Sequence, residues 1–181
     1  MEFNKQKNET FPDIKIFKNA LREDNRGYFK KVYSKEFSES LSFKVNEVYF
    51  SKNKKDVVRG IHYQNKDAGL AKIIKCVSGE ILDFFIDLRL GSSTYGQYSS
   101  QIISEKNCLS ILIPYGFGHG FSVLSEEATV LYIQDGDYNP EAELGINPLS
   151  IEFDWLVKKP IVSDRDLNLP NFVKGNEQFY L

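Results

Sequence analysis

The chain has 181 residues, 41% of them hydrophobic and 27% charged, with a formal net charge of −2. That length and balance are ordinary for a soluble globular protein and predict one domain, residues 1–181, around a sizeable core. The slightly acidic charge excludes a broad nucleic-acid surface, which needs a basic stripe, while leaving room for a local basic pocket.

From the N-terminus onward, Met1 to Glu9 lacks the apolar core of a signal peptide, and no apolar run is long enough to span a bilayer. A cytoplasmic protein without membrane contact is therefore expected. Ser34 to Leu41 is the only segment with a helical pattern, and it is short. Lys72 to Val77 alternates as a strand, followed by a Ser78-Gly79-Glu80 turn and the apolar run Ile81 to Leu88, which ends at Gly91-Ser92-Ser93. Leu109 to Ile113 is another strand, stopped by Pro114-Tyr115-Gly116. Phe121 to Leu124 and Thr129 to Ile133 flank Ser125-Glu126-Glu127 and are expected to pair as a hairpin. The tail after Pro170 has little periodicity and should wrap the surface or pack on a neighbour. Many short, closely spaced strands predict an all-β sandwich or barrel. Cys76 and Cys108 lie in apolar stretches without metal-type spacing, as expected of reduced core thiols.

Alternation predicts which side chains share a face. Lys72, Ile74 and Cys76 project to one side of their strand, and Ile73, Lys75 and Val77 to the other. Val130, Tyr132 and Gln134 share a face of the later strand. A lysine or tyrosine directed into a barrel needs a partner or a ligand. Periodicity alone favours Lys72 in solvent and Tyr132 as a bonded core aromatic.

Arg59-Gly60-Ile61-His62-Tyr63-Gln64 is the segment richest in chemistry. It holds one of two histidines and one of five arginines, against eighteen lysines. Histidine titrates near neutrality and suits a general base, and arginine grips phosphate oxygens in pairs. By itself Arg-Gly-x-His is a weak signal, since a lone histidine in an apolar segment is often a bonded structural residue.

Several segments in order add a resemblance. They are Asp24-Asn25-Arg26-Gly27, Val58 to Gln64, Ala71 to Lys75, Gly79-Glu80 leading to Asp87-Leu88-Arg89, and Gly91 to Gly96. Ile113 to Phe121, Leu131-Tyr132, Tyr138-Asn139-Pro140, Asp154-Trp155 and Pro160 to Asp166 follow. Together, from about residue 20 to residue 170, they resemble the dTDP-4-dehydrorhamnose 3,5-epimerase family of nucleotide-sugar epimerases. The resemblance implies a cupin-like jelly roll with short peripheral helices. It also implies a homodimer in which the N-terminal region of one subunit helps close the other's pocket. The substrate it implies is a nucleotide-diphosphate-linked 4-keto-6-deoxy sugar, inverted at C3, C5 or both, with no cofactor and no metal.

Roles follow from the same resemblance. His62 matches the base, Asp166 the carboxylate that orients it, Lys72 the lysine near the C4 oxygen, and Tyr132 the tyrosine that returns a proton from the opposite face. Arg59 and His119 resemble positions around the diphosphate, Arg26 and Tyr28 an N-terminal contact, and Tyr138 and Glu47 further substrate-binding positions. The chemistry explains the residue types. A carbon acid beside a ketone needs a base, a cation or donor for the developing oxyanion, and a second acid for inversion. No redox group is needed, because the ketone is already in the substrate.

This chain departs from the family's usual pattern in three places. Lys30-Lys31 stands where glutamate is common, Glu47 and Tyr49 stand where Gln and Asn are common, and Gly145-Ile146-Asn147-Pro148 replaces an aromatic-rich stretch. These departures leave the reaction type intact and admit other nucleotide sugars, a GDP-linked 6-deoxy-heptose among them. The rival readings are weaker. A 3,4-ketoisomerase of the same fold carries a second histidine where this chain has Gln64. A metal-dependent cupin needs three or four imidazoles or carboxylates, and the two histidines here lack His-x-His spacing. A non-catalytic sugar-binding jelly roll would not need Lys72, Tyr132 and Asp166 all in place.

Overall fold

β-Branched and aromatic runs, punctuated by Gly, Pro and Asn, form two antiparallel sheets in the computed structural model, which describes residues 4–8 and 10–174. The first sheet has the order β1 (Asn4–Lys7), β2 (Lys15–Lys18), β10 (Leu109–Ile113), β7 (Lys72–Ser78), β12 (Glu127–Gln134), β5 (Glu47–Lys54). The second has the order β13 (Glu143–Gly145), β6 (Val58–Gln64), β11 (Phe117–Val123), β8 (Glu80–Asp87), β9 (Tyr98–Ser104). A separate two-stranded hairpin pairs β3 (Leu21–Asp24) with β4 (Gly27–Lys30). The sheets stack as a cupin-like jelly roll, with Ile74, Cys76, Ile81, Phe85, Ile111, Phe117, Phe121 and Val130 among the buried residues between them.

Both outer faces are covered as well. Helix α1 (Lys35–Ser40) starts where the Ser34 hydroxyl accepts the Phe37 N–H at 3.2 Å, satisfying one of the orphan donors of the first turn. Its Phe37 packs edge-on against Phe17 (centroids 5.2 Å apart) and closes a cluster with Phe43, Ile73, Leu112 and Ile133. On the other side, Ile146, Ile151 and Trp155 pack against Val58, Ile61, Tyr63, Phe84 and Ile86. Phe172, just after Pro170, belongs to this cover. The Asn147 N–H donates to the Pro170 carbonyl at 2.9 Å, and the Phe172 N–H donates to Ser150 Oγ at the same distance.

One expectation changes. Phe121 to Leu124 and Thr129 to Ile133 are adjacent in sequence but do not pair. β11 bonds β6 and β8, whereas β12 bonds β5 and β7 in the opposite sheet. The connection crosses the sandwich because each strand has an apolar face to bury from its own side. Its Ser125 therefore bonds the neighbouring turn, accepting the Glu80 N–H at 2.9 Å. A Cβ at Gly79 in that turn would stand 2.1 Å from the Glu127 carbonyl oxygen, so only glycine fits. Lys75 lies on the face opposite Lys72, as the alternation predicts, and is buried beneath α1. Its Nζ donates to Asn19 Oδ1 at 3.0 Å and Ser110 Oγ at 2.7 Å, 5.7 Å from the centre of the Phe37 ring. Cys76 and Cys108 are free and buried. Of the N-terminal segment read for a signal peptide, residues 1–3 and 9 lie outside the described residues.

Candidate active site

At one end of the sandwich the interior turns from apolar to polar. A cavity of about 560 Å³ opens there between β5, β7 and β12 on one wall and β6, β11 and β13 on the other. The period-2 pattern fills it as expected. Lys72, on the face of β7 that carries Ile74 and Cys76, lines it, and so do Tyr132 and Gln134 of β12. His62 of β6 and His119 of β11 are cross-strand neighbours on the second wall. The two strands approach closely at Gly60, where a Cβ would lie 2.6 Å from the His119 carbonyl oxygen and 2.7 Å from Gly120 Cα.

His62 is held from behind by a short helix, α2 (Asp164–Leu167), capped by the Ser163 hydroxyl, which accepts the Asp166 N–H at 3.1 Å. The loops bearing α2 are tied to β6 by bonds from Val58 N–H to the Ile161 carbonyl and between Ile61 and Ile146. Asp166, 104 residues away in sequence, thereby comes within 2.8 Å of His62 Nε2, and its other oxygen accepts the Gly60 N–H at 3.2 Å. Burial raises the Asp166 carboxyl most strongly of any single influence, but the hydrogen bond and charge of His62, the Gly60 N–H and Arg165 together outweigh it and hold the group below its ordinary value. An ionised Asp166 accepts a hydrogen bond from Nε2–H, which keeps the proton on Nε2 and leaves Nδ1 of His62 as the basic nitrogen.

Burial lowers Lys72 to about 8, against the opposing pull of Glu143 and Asp83. Burial also raises Tyr132, with the Ser51 side chain as a hydrogen-bond partner of its hydroxyl, so the phenol stays protonated at neutral pH. His119 is only 5% exposed, and its Nε2 lies 2.7 Å from Asp83 Oδ1. Burial pushes this imidazole down and the Asp83 carboxyl up. His119 therefore meets the cavity as a bonded ring rather than an exposed cation. Arg59 lines the cavity, and its Nε donates to Asn53 Oδ1 at 2.6 Å. Glu47 lies at the rim, where its Oε1 accepts the Tyr138 N–H at 3.2 Å.

His62, Tyr132, Lys72, Arg59, His119, Tyr138 and Glu47 thus share one cavity, with Asp166 directly behind His62. Arg26 and Tyr28 do not join them. They sit on the β3–β4 hairpin, which pairs with no other strand, and both are exposed on a chain segment apart from the cavity. The Arg26 guanidinium is instead paired with Asp24 at 2.7 Å.

Groups in the cavity wall or directly behind it were not all singled out from sequence. Glu143 accepts from both the Tyr138 hydroxyl and the Arg165 guanidinium, and all three line the rim. Asp83 is fully buried. A carboxylate in an apolar strand, in phase with Ile81 and Phe85, is a readable sign of an inward polar group. Glu143 and Arg165 carry no such sign, because their pairing depends on where the C-terminal loops fold. Among the described residues no three His, Cys, Asp or Glu side chains gather as a set of metal ligands.

Comparison with known proteins gives a consistent answer. Residues 8–174 match the family model for dTDP-4-dehydrorhamnose 3,5-epimerase. A Shigella flexneri dTDP-4-dehydrorhamnose 3,5-epimerase is 38% identical over 170 residues, covering 91% of this chain and 94% of the relative. A Streptomyces niveus dTDP-4-dehydrorhamnose 3-epimerase is 36% identical over 150 residues, covering 80% and 72%. Among solved structures, a Legionella pneumophila dTDP-6-deoxy-D-glucose-3,5-epimerase in complex with dTDP-4-keto-L-rhamnose superposes with a TM-score of 0.85 at 31% identity. That match covers 95% of this chain and all of the other.

Proposed function

The chain belongs to the dTDP-4-dehydrorhamnose 3,5-epimerase family, and from that premise we propose that its cavity inverts a nucleotide-linked 4-keto-6-deoxy sugar through His62, Lys72 and Tyr132. One observation carries the assignment of roles: the His62–Asp166 pair on one wall confronts Tyr132 and Lys72 on the other. In this reading Nδ1 of His62 takes the proton from the carbon beside the ketone. Protonated Lys72 stabilises the charge that moves onto the C4 oxygen. The Tyr132 hydroxyl then donates its proton to the opposite face as the enolate collapses. The net result is inversion with no change of oxidation state, and imidazolium and tyrosinate reset by exchange with solvent. Arg59 and Arg165 are the guanidinium groups available to the diphosphate.

Relatives carry the names of both 3,5- and 3-epimerases, so the reaction is assigned to C3, C5 or both. A dTDP-linked 4-keto-6-deoxy-glucose is the first substrate to test. Glu47 favours a second reading. Its carboxylate stands at the rim beside the exposed ring of Tyr138. A carboxylate pairs well with the adjacent donors of a guanine edge and poorly with thymine, whose single donor lies between two acceptors. Incubating dTDP- and GDP-linked 4-keto sugars with the enzyme in heavy water, and locating the incorporated deuterium, tests substrate and carbon together. Absence of exchange into either sugar would sink the proton-transfer reading.

The working unit is proposed to be a homodimer. Two observations support it: the hairpin exposes Leu21, Tyr28 and Phe29, and edge strand β5 exposes Val48 and Phe50. Exposed apolar residues on a hairpin and an unpaired strand edge suit burial against a second copy. Arg26 and Tyr28 would then contribute to the partner's pocket.

A further inference from the structure

We propose that Tyr49 is a positioning residue for Tyr132, and that it sets how often proton exchange ends in inversion. The inference rests on the assignment of Tyr132 as the returning acid. Tyr49 of β5 and Tyr132 of β12 are cross-strand partners, and their rings stack with centroids 4.8 Å apart and planes only 12° from parallel. The His119 ring meets Tyr132 edge-on at 6.3 Å and 79°. The far end of Tyr49 is also fixed, because its hydroxyl donates to Oε1 of buried Gln134 at 2.7 Å. The Tyr132 ring is therefore gripped by an aromatic neighbour that is itself anchored.

Core packing does not explain Tyr49. It lies on an edge strand with 42% of its surface exposed, so its ring adds little to the buried interior.

The consequence follows from the fate of the enolate. Once His62 has taken the proton, the carbon has two sources of a new one. Return from His62, after exchange with solvent, gives labelled sugar with retained configuration. Transfer of the Tyr132 hydroxyl proton, with the enolate electron pair forming the new C–H bond, gives inversion and leaves tyrosinate. Only the second path requires the Tyr132 oxygen at a fixed place over the opposite face. Releasing the ring should slow inversion and leave abstraction by His62 untouched.

The test measures inverted against exchanged carbon in heavy water for the nucleotide 4-keto sugar that the unmodified enzyme turns over. Tyr49→Phe keeps the stack and should hold the ratio within about twofold of the unmodified enzyme. Tyr49 also lines the cavity, so both reactions are read at saturating sugar; there Tyr49→Asn and Tyr49→Leu lose the stack and should lower the ratio roughly tenfold, the scale of one stacked aromatic pair, with inversion falling far more than exchange. Tyr49→Leu keeps apolar bulk and guards against a folding defect in the asparagine variant. An unchanged ratio in both, or equal loss of exchange and inversion, overturns the proposal. Tyr132→Phe, assayed alongside, separates the two layers. Retained exchange without inversion upholds Tyr132 as the acid whatever the Tyr49 variants do, whereas loss of both removes the assignment on which this inference rests.

Discussion

His62 and Asp166 illustrate how few atoms decide the chemistry. The imidazole needs one nitrogen deprotonated and aimed at the substrate, and the carboxylate 2.8 Å from Nε2 provides the reason it is Nδ1. Replacing His62 by Asn should lower deuterium incorporation by about two to four powers of ten, read by mass spectrometry of the recovered sugar. Asp166→Asn should depress the rate more than it weakens binding, because an amide can hold the wrong tautomer while leaving the cavity intact. Lys72 contributes a pH signature. Burial brings it down to about 8, and only its protonated form can stabilise the enolate. The ammonium is present below that pH and lost above it, so kcat/KM should decline as pH rises through about 8. In Lys72→Met that alkaline decline should vanish along with most of the activity.

At the level of elements, the outer face of β7 holds a cost that the inner face explains. Lys72 and Lys75 are three residues apart and so point in opposite directions, one into the cavity and the other under α1. Burial lowers Lys75 to about 7, with Lys30 adding repulsion, whereas an unfolded lysine titrates near 10.4. Between those values the unfolded chain binds more protons than the folded one, so stability rises with pH; below about 7 both states are protonated and the effect is flat. Urea unfolding of the unmodified chain and Lys75→Met at pH 7 and pH 9 should show the former gaining, by about 2 kcal/mol at most, relative to the variant. Equal pH dependence in the two would mean that Lys75 does not carry the titration. The same element view explains α1: a serine cap and one buried phenylalanine suffice for a six-residue helix, because tertiary packing rather than propensity holds it.

For the whole molecule, the exposed hairpin predicts activity shared between subunits. If Arg26 acts in the partner's pocket, mixing inactive His62→Ala with impaired Arg26→Ala should create hybrids with one intact pocket. Random exchange would restore about a quarter of the sites. Sedimentation should show a dimer at assay concentration. A fully active monomer, or no complementation after verified subunit exchange, would remove the shared-pocket proposal.

The sequence by itself determined what depends on local pattern. Alternation put Lys72 and Tyr132 on the faces of Ile74 and Val130 that turn inward, and the short helical stretch within Ser34 to Leu41 and the bounds of Leu109–Ile113 were readable from neighbouring residues. Type and order of motifs were enough to bring out the family resemblance. Tertiary structure decided which strands met. Ser125-Glu126-Glu127 has the composition of a hairpin turn, yet the strands on either side join opposite sheets, because partner choice depends on distant apolar faces. It also decided that Asp83 meets His119, that Glu143 joins Tyr138 to Arg165, and that Tyr49 stacks on Tyr132. Each contact joins residues whose nearness comes from chain crossings and sheet register. A one-dimensional pattern tells which way a side chain points but not what it will find there.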